Sequence, residues 1–167
     1  MKFEIIFRGA TYRVAHAEPK AGESVVMDAQ HLNPDGTLVP IPYLTKGVFL
    51  AIDCQGGQHV FGPGGAENTV FPQGRFSVVA TEDSDYWCIS PLPGSRLVRE
   101  GKLIIEPEAH AVLDLPYETN AVFTDSAYVN GTVIPKGTVA RVSPGLKNVS
   151  QPNGRELHII LFNTEVA

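Results

Sequence analysis

The side chains able to do chemistry are scattered along this 167-residue sequence. Five histidines, His16, His31, His59, His110 and His158, each stand alone. No His-x-His pair places two imidazoles on one strand face, and no His-x-x-x-His pair places them on one helix face. A metal site would have to be assembled from distant residues such as His59, Glu108 and His110; otherwise the histidines are structural, and the sequence predicts no bound metal. Glu82-Asp83-Ser84-Asp85 clusters carboxylate oxygens without the spacing of a calcium loop, which predicts a solvated hairpin tip. Ser90 and Ser95 lie beside Pro91, Pro93 and Gly94, and neither has the Gly-x-Ser-x-Gly elbow of a hydrolase nucleophile. Gly56-Gly57 and Gly62-Pro63-Gly64-Gly65 precede no Lys-Ser/Thr pair and no helix, so they have no phosphate to cradle. Cys54 and Cys88 lack second cysteines at ligand spacing and read as buried free thiols. These residues together predict neither a catalytic centre nor a cofactor.

Composition narrows the partners. The formal charge is −5, with 13 basic residues against 18 acidic ones and no basic stripe, so nucleic acid has little electrostatic purchase. An apolar fraction of 43% and a charged fraction of 19% describe a chain that folds into a globular core. No apolar run is long enough for a membrane span, and Met1-Lys2-Phe3-Glu4 lacks the apolar block of a signal peptide, so a soluble protein is expected.

The elements that must position these residues are strands. Sixteen Gly and thirteen Pro leave few stretches long enough for a helix. Phe3, Ile5 and Phe7 alternate with Lys2 and Glu4, the period of a half-buried strand, and Gly9-Ala10 turn it into Thr11-Tyr12-Arg13-Val14 as an opening hairpin. Residues 23–33 allow at most one short helix, closed by Asn33-Pro34-Asp35-Gly36. Pro40 and Pro42 then mark an extended connection, separating an N-terminal hairpin and arm (1–46) from a β body (47–167). Strands are expected at 48–53, 58–61, 75–80, 86–90, 102–106, 111–115, 127–129, 138–142 and 156–162, a spacing typical of a sandwich or barrel. In the last of them Ile160 and Phe162 stand opposite Leu157, Ile159 and Leu161, which predicts cover on both faces. Tyr86 and Trp87 project to opposite sides of their own strand, one into the core and one toward an interface.

The body also contains an internal match. Val60-Phe61 and then Asn68-Thr69-Val70-Phe71-Pro72-Gln73-Gly74 parallel Val122-Phe123 and then Asn130-Gly131-Thr132-Val133-Ile134-Pro135-Lys136-Gly137, with Thr132 standing 63 positions after Thr69. The apolar residues suit a core, Pro ends strand pairing and Gly supplies the reversal. Repeat halves are therefore expected near 47–100 and 110–167.

The run Ala127-Tyr128-Val129-Asn130-Gly131, Ile134-Pro135-Lys136-Gly137, Ser143-Pro144-Gly145 and a closing apolar strand resembles the second half of a cupin domain. The resemblance implies an all-β jelly-roll or cupin-like sandwich or barrel. Metal-dependent cupins carry His-x-His, a nearby Glu and a third His on interior strand faces; this sequence departs from that pattern. The whole is also similar to small cupin-like structural proteins of tailed bacteriophages. That similarity implies a non-enzymatic virion component, such as a capsid-decorating or head-associated protein. It would be a trimer or other homo-oligomer with the major capsid protein as partner, residing in the virion and otherwise in the cytoplasm. The interface residues expected on this reading are Phe3, Ile5, Phe7, Tyr86, Trp87, Ile160 and Phe162. The alternative is a cupin-type enzyme or small-ligand binder, for instance for sugars, with polar groups converging in the barrel. A third reading is host interaction through the loop 56–65.

Overall fold

The computed structural model describes residues 1–28, 40–63 and 74–166. The chain divides into two compact units, Met1–Arg96 and Leu97–Ala167. Unit 1 contains β1 (Glu4–Arg8), β2 (Tyr12–Ala17), β3 (Ser24–Asp28), β4 (Ile41–Lys46), β5 (Phe49–Ile52), β6 (Gln58–Phe61), β7 (Arg75–Ala80) and β8 (Asp85–Pro91). They form two four-stranded sheets, ordered β1-β2-β8-β4 and β3-β7-β5-β6. The chain passes between sheets at β2 to β3, β3 to β4, β4 to β5 and β7 to β8, which is jelly-roll wiring. Alternate residues of both sheets supply one apolar core: Ala17, Leu44 and Tyr86 from the first, Phe49, Phe61, Phe76 and Val78 from the second.

Unit 2 contains β9 (Ser95–Ile105), β10 (His110–Leu115), β11 (Thr119–Phe123), β12 (Ala127–Val129), β13 (Thr132–Ile134), β14 (Val139–Val142), β15 (Gly145–Ser150) and β16 (Leu157–Val166). Its sheets are ordered β14-β11-β16-β9 and β10-β15-β12-β13. Its core gathers Ile105, Ala121, Phe123, Ala127, Val149, Leu157 and Ile159. The wiring repeats that of unit 1: β2-β8-β4 corresponds to β9-β16-β11, and β3-β7-β5-β6 to β10-β15-β12-β13.

The all-β expectation holds, and there is no helix among the described residues. Where a short helix was allowed, Ser24–Asp28 is a strand paired with β7. Val25 and Met27 pack on the core while Val26 between them is 55% exposed, a period of two that suits β-branched side chains. The rest of that segment, with Asn33-Pro34-Asp35-Gly36 and His31, lies outside the described residues, as do Gly64-Gly65 and the copy of the repeat at 68–73.

Residues 1–46 contribute β1 to β4, of which β2 and β4 flank β8 and β3 pairs with β7. The expected boundary at 46/47 therefore falls inside unit 1. Pro42 lies within β4, which ends its sheet and so needs hydrogen bonds along one side only. Gly47 turns β4 into β5 at φ +95, and a Cβ there would meet Ser84 Cα at 2.5 Å, so no other residue fits. Val60-Phe61 stands in β6 and Val122-Phe123 in β11, which occupy different places in the shared wiring. By contrast, the apolar closing strands β8 and β16 correspond.

Candidate metal centre

Strands β2 and β8 pair with Ala17 opposite Tyr86 and His16 opposite Trp87. Ala17 and Tyr86 point into the core of unit 1, so His16 and Trp87 point to the other face of the sheet. Asp85, two residues before Trp87, shares that face. His16 Nε2 lies 2.6 Å from Asp85 Oδ1 and 3.8 Å from Glu18 Oε1. One donor atom from each of the three residues lies within 4.8 Å of the other two, the one such group among the described residues. The second Asp85 oxygen, Oδ2, accepts hydrogen bonds from Trp87 Nε1 at 2.7 Å and from Thr45 Oγ1 of β4. The His16 and Trp87 rings lie 4.0 Å apart, inclined by 30°.

Asp85 is 6% exposed. Burial by itself raises its pKa, but the hydrogen bonds from His16, Thr45 and Trp87 and the charge of His16 outweigh burial and hold the carboxyl below the usual carboxylate range. It is an anion at neutral pH with one oxygen committed to the protein and one facing His16. The imidazole is 14% exposed and Glu18 60% exposed, so the cluster is anchored on its inner side and open on its outer side. One imidazole nitrogen and two carboxylate oxygens suit a first-row divalent ion, and three protein ligands leave coordination positions for a small molecule. The residues present fit such an ion.

This cluster is a candidate site in residues that the sequence did not single out. Glu82-Asp83-Ser84-Asp85 is a solvated tip only over Glu82 and Asp83; Ser84 and Asp85 are buried, at 3% and 6% exposed. The signal present in the sequence was His16-Ala17-Glu18, a His-x-Glu pair at alternate positions running off a strand. Its partner Asp85 lies 69 residues from His16, and only strand pairing joins them. The interior of unit 1, where a cupin's metal ligands would project, is filled by Phe49, Phe61, Phe76 and Tyr86 instead.

The other proposed ligands are dispersed. His59 is held by Asp53 at 3.0 Å in unit 1, whereas Glu108 and His110 belong to unit 2. Of the residues expected at an interface, Phe3 packs edge-on against Tyr86 at 5.8 Å and Phe7 stacks on Tyr12 at 5.1 Å. Ile5 is 38% exposed; Tyr86, Trp87, Ile160 and Phe162 are all buried. Cys54, expected to be buried, is exposed in the turn after β5, while Cys88 is half-buried; both are free thiols.

No protein-family model and no curated protein matches the chain. Solved structures do. A cupin 2 conserved barrel domain protein from Leptotrichia buccalis superposes with a TM-score of 0.50 at 12% identity, covering 98% of this chain and 88% of that one. Bacillus subtilis oxalate decarboxylase, in a study of its Mn(II) centres, superposes with a TM-score of 0.51 at 10% identity, covering 93% of this chain and 71% of its own. At these identities the likeness shows the fold: a cupin-like jelly roll. No helix among the described residues is long and apolar enough to cross a membrane. The expected role as a non-enzymatic virion component, with its capsid-decoration terms, is overturned by the His16, Glu18 and Asp85 cluster. Burying a charged carboxylate is costly, and here that carboxylate stands within reach of an imidazole and a second carboxylate.

Proposed function

We propose that this protein is a cupin-type metalloenzyme acting on a small organic acid, with a divalent ion held by His16, Glu18 and Asp85. The observation that carries the reading is the buried Asp85 carboxylate, whose Oδ2 is bonded by Thr45 and Trp87 and whose Oδ1 is left beside His16 Nε2. The fold shared with a manganese-containing oxalate decarboxylase supports the choice of Mn(II) and of oxalate as first probes.

A bound ion would supply Lewis-acid polarisation of a substrate carboxylate. The chain's own residues do the rest. Thr45 and Trp87 hold Asp85 Oδ2 and so fix the carboxylate plane, leaving Oδ1 as the oxygen that would meet an ion. Stacking against Trp87 sets the tilt of the His16 ring. His16 Nε2 and Asp85 Oδ1, 2.6 Å apart, would both turn to a bound ion in place of the hydrogen bond between them. Glu18 completes the donor set from the solvent side, the side from which a small acid enters.

Trp87 is the sole tryptophan, and its ring touches His16 and Asp85, so its fluorescence reports the site. Titrating the protein with Mn(II) is expected to quench that emission saturably at one ion per chain, and His16→Ala to abolish the quenching. The loaded protein is expected to turn over oxalate, read as formate and carbon dioxide. Unchanged emission at millimolar Mn(II), with no ion retained on desalting, would sink the proposal.

A further inference from the structure

A second site lies in unit 2, on the sheet β10-β15-β12-β13. Its inner face carries Ala111, Val149, Ala127, Val129 and Ile134, which pack on the unit's core. The alternate residues therefore face outward. Pairing places His110 opposite Ser150, Ser150 opposite Tyr128, and Tyr128 opposite Val133, one row crossing all four strands. In the next row Val112 stands opposite Asn148. At the edge, Asn130 and Gly131 turn β12 into β13 with both φ angles positive, 48 and 81. Asn130 Oδ1 accepts a hydrogen bond from the backbone N–H of Asn148, tying that turn to β15.

These residues line an open groove of about 510 Å³, a volume within the roughly 300–1,000 Å³ of small-molecule sites. Its lining residues are His110, Ala111, Val112, Tyr128, Gly131, Asn148, Val149 and Ser150, with no Lys, Arg, Asp or Glu among them. Among the described residues, the side chains of His110, Tyr128, Asn148 and Ser150 make no hydrogen bond or ion pair. Four unengaged polar groups and one aromatic ring thus converge on one rigid sheet face. Tyr128 is 38% exposed, so part of its side chain is open to a ligand.

We infer that this face binds a neutral saccharide of one or two rings. A pyranose has a face of C–H bonds that suits the Tyr128 ring, and a rim of hydroxyls that both donate and accept. Asn148, Ser150 and His110 supply the complementary donors and acceptors, and Val112 supplies apolar contact beside them. An anionic or cationic ligand would meet no opposite charge in this lining. The inference is independent of the cation cluster, which lies in unit 1.

The test is amide chemical-shift mapping on the full chain, with cellobiose, maltose and lactose as probes up to about 50 mM, enough to reveal millimolar affinity. Saturable shifts are expected for at least one probe, confined to 110–112, 128–131 and 148–150. Tyr128→Ala should weaken that binding about tenfold by removing the stacking face, and Asn148→Ala about fivefold by removing one hydrogen-bonding group. Tyr128→Phe should retain most of it. No shifts with any of the three probes would overturn the inference, as would binding unchanged in Tyr128→Ala. Concentration-dependent dimerisation that buries this face, seen by sedimentation velocity with no saccharide shifts, would assign the groove to a second copy of the chain and overturn it too.

Discussion

At the start of β8, Asp85 of unit 1 reaches across to His16, 69 residues away, and takes two further hydrogen bonds from Thr45 and Trp87. At the start of β16, the corresponding strand of unit 2, His158 is 4% exposed and its ring lies 2.6 Å from Glu156, only two residues earlier. Glu156 is 44% exposed, so solvent screens that pair. The neighbouring carboxylate, Asp125, is closed off by Arg155, whose Nε and Nη2 donate at 2.9 and 3.2 Å, with help from Asn153 and the Ser126 amide. One wiring thus produces a carboxylate set beside an imidazole in unit 1 and a carboxylate paired with a guanidinium in unit 2. Topology sets which strand ends meet; the residues at those ends decide whether a cation has a place there.

The contrast can be broken from the unit 1 side. Phe49 is fully buried at the centre of that core, and Phe49→Ala should cost about 3–5 kcal/mol through lost burial and the cavity left behind, measured by urea unfolding. Loss of the Trp87 signal for Mn(II) should accompany it, since the core holds the sheet that carries the site. Asp85→Ala should cost about 3 kcal/mol, because the Trp87 N–H and the Thr45 hydroxyl lose their acceptor in a buried setting. It should also eliminate Mn(II) binding altogether. If Asp85→Ala proved as stable as the parent chain, the hydrogen-bonded anchor described here would be wrong.

Milder changes sharpen it. Glu18→Gln should weaken Mn(II) binding at least about tenfold, a typical loss for a weakened metal shell, while leaving the unfolding midpoint where it is. A titration of stability against pH isolates the contribution of Asp85. Asp85 and Asp125 both have carboxyls held below the usual range, each because hydrogen bonds outweigh burial. Each adds stability that is complete above the unfolded value, about 3.9, and is lost as pH falls through its lower folded value. Asp85→Asn should therefore flatten part of the acid limb below about pH 4, with the shares due to Asp125, Asp53 and Glu23 persisting. The smallest effect expected is that of Glu156→Gln, which should leave Mn(II) binding unaltered; any loss would mean that unit 2 contributes to the cation site.

Much of the architecture is legible in the residues. The alternation in Phe3, Ile5 and Phe7, the apolar runs of β5, β7, β8 and β16, and the Asn130-Gly131 turn all report β structure through local side-chain periodicity and backbone sterics. Other strands are hidden in the sequence for local reasons. Pro40 and Pro42 mask β4, whose edge position makes Pro42 tolerable, and β15 begins within the Ser143-Pro144-Gly145 turn, with few apolar residues to mark it. A helix was allowed over 23–33 because three adjacent apolar residues suit either period, and only pairing with β7 decides between them.

By itself, then, the amino-acid order determined an all-β chain with jelly-roll turns, since propensity, alternation and turn chemistry act between near neighbours. The functional constellation belongs to the tertiary structure. His16 and Glu18 are adjacent enough to be suspected, but Asp85, Thr45 and Trp87 join them only because β2 and β4 pair on either side of β8. The same holds for the row His110, Ser150, Tyr128 and Val133, whose members come from four strands. Register between strands distant in sequence is set by the packing of whole sheets, and no short window of residues records it.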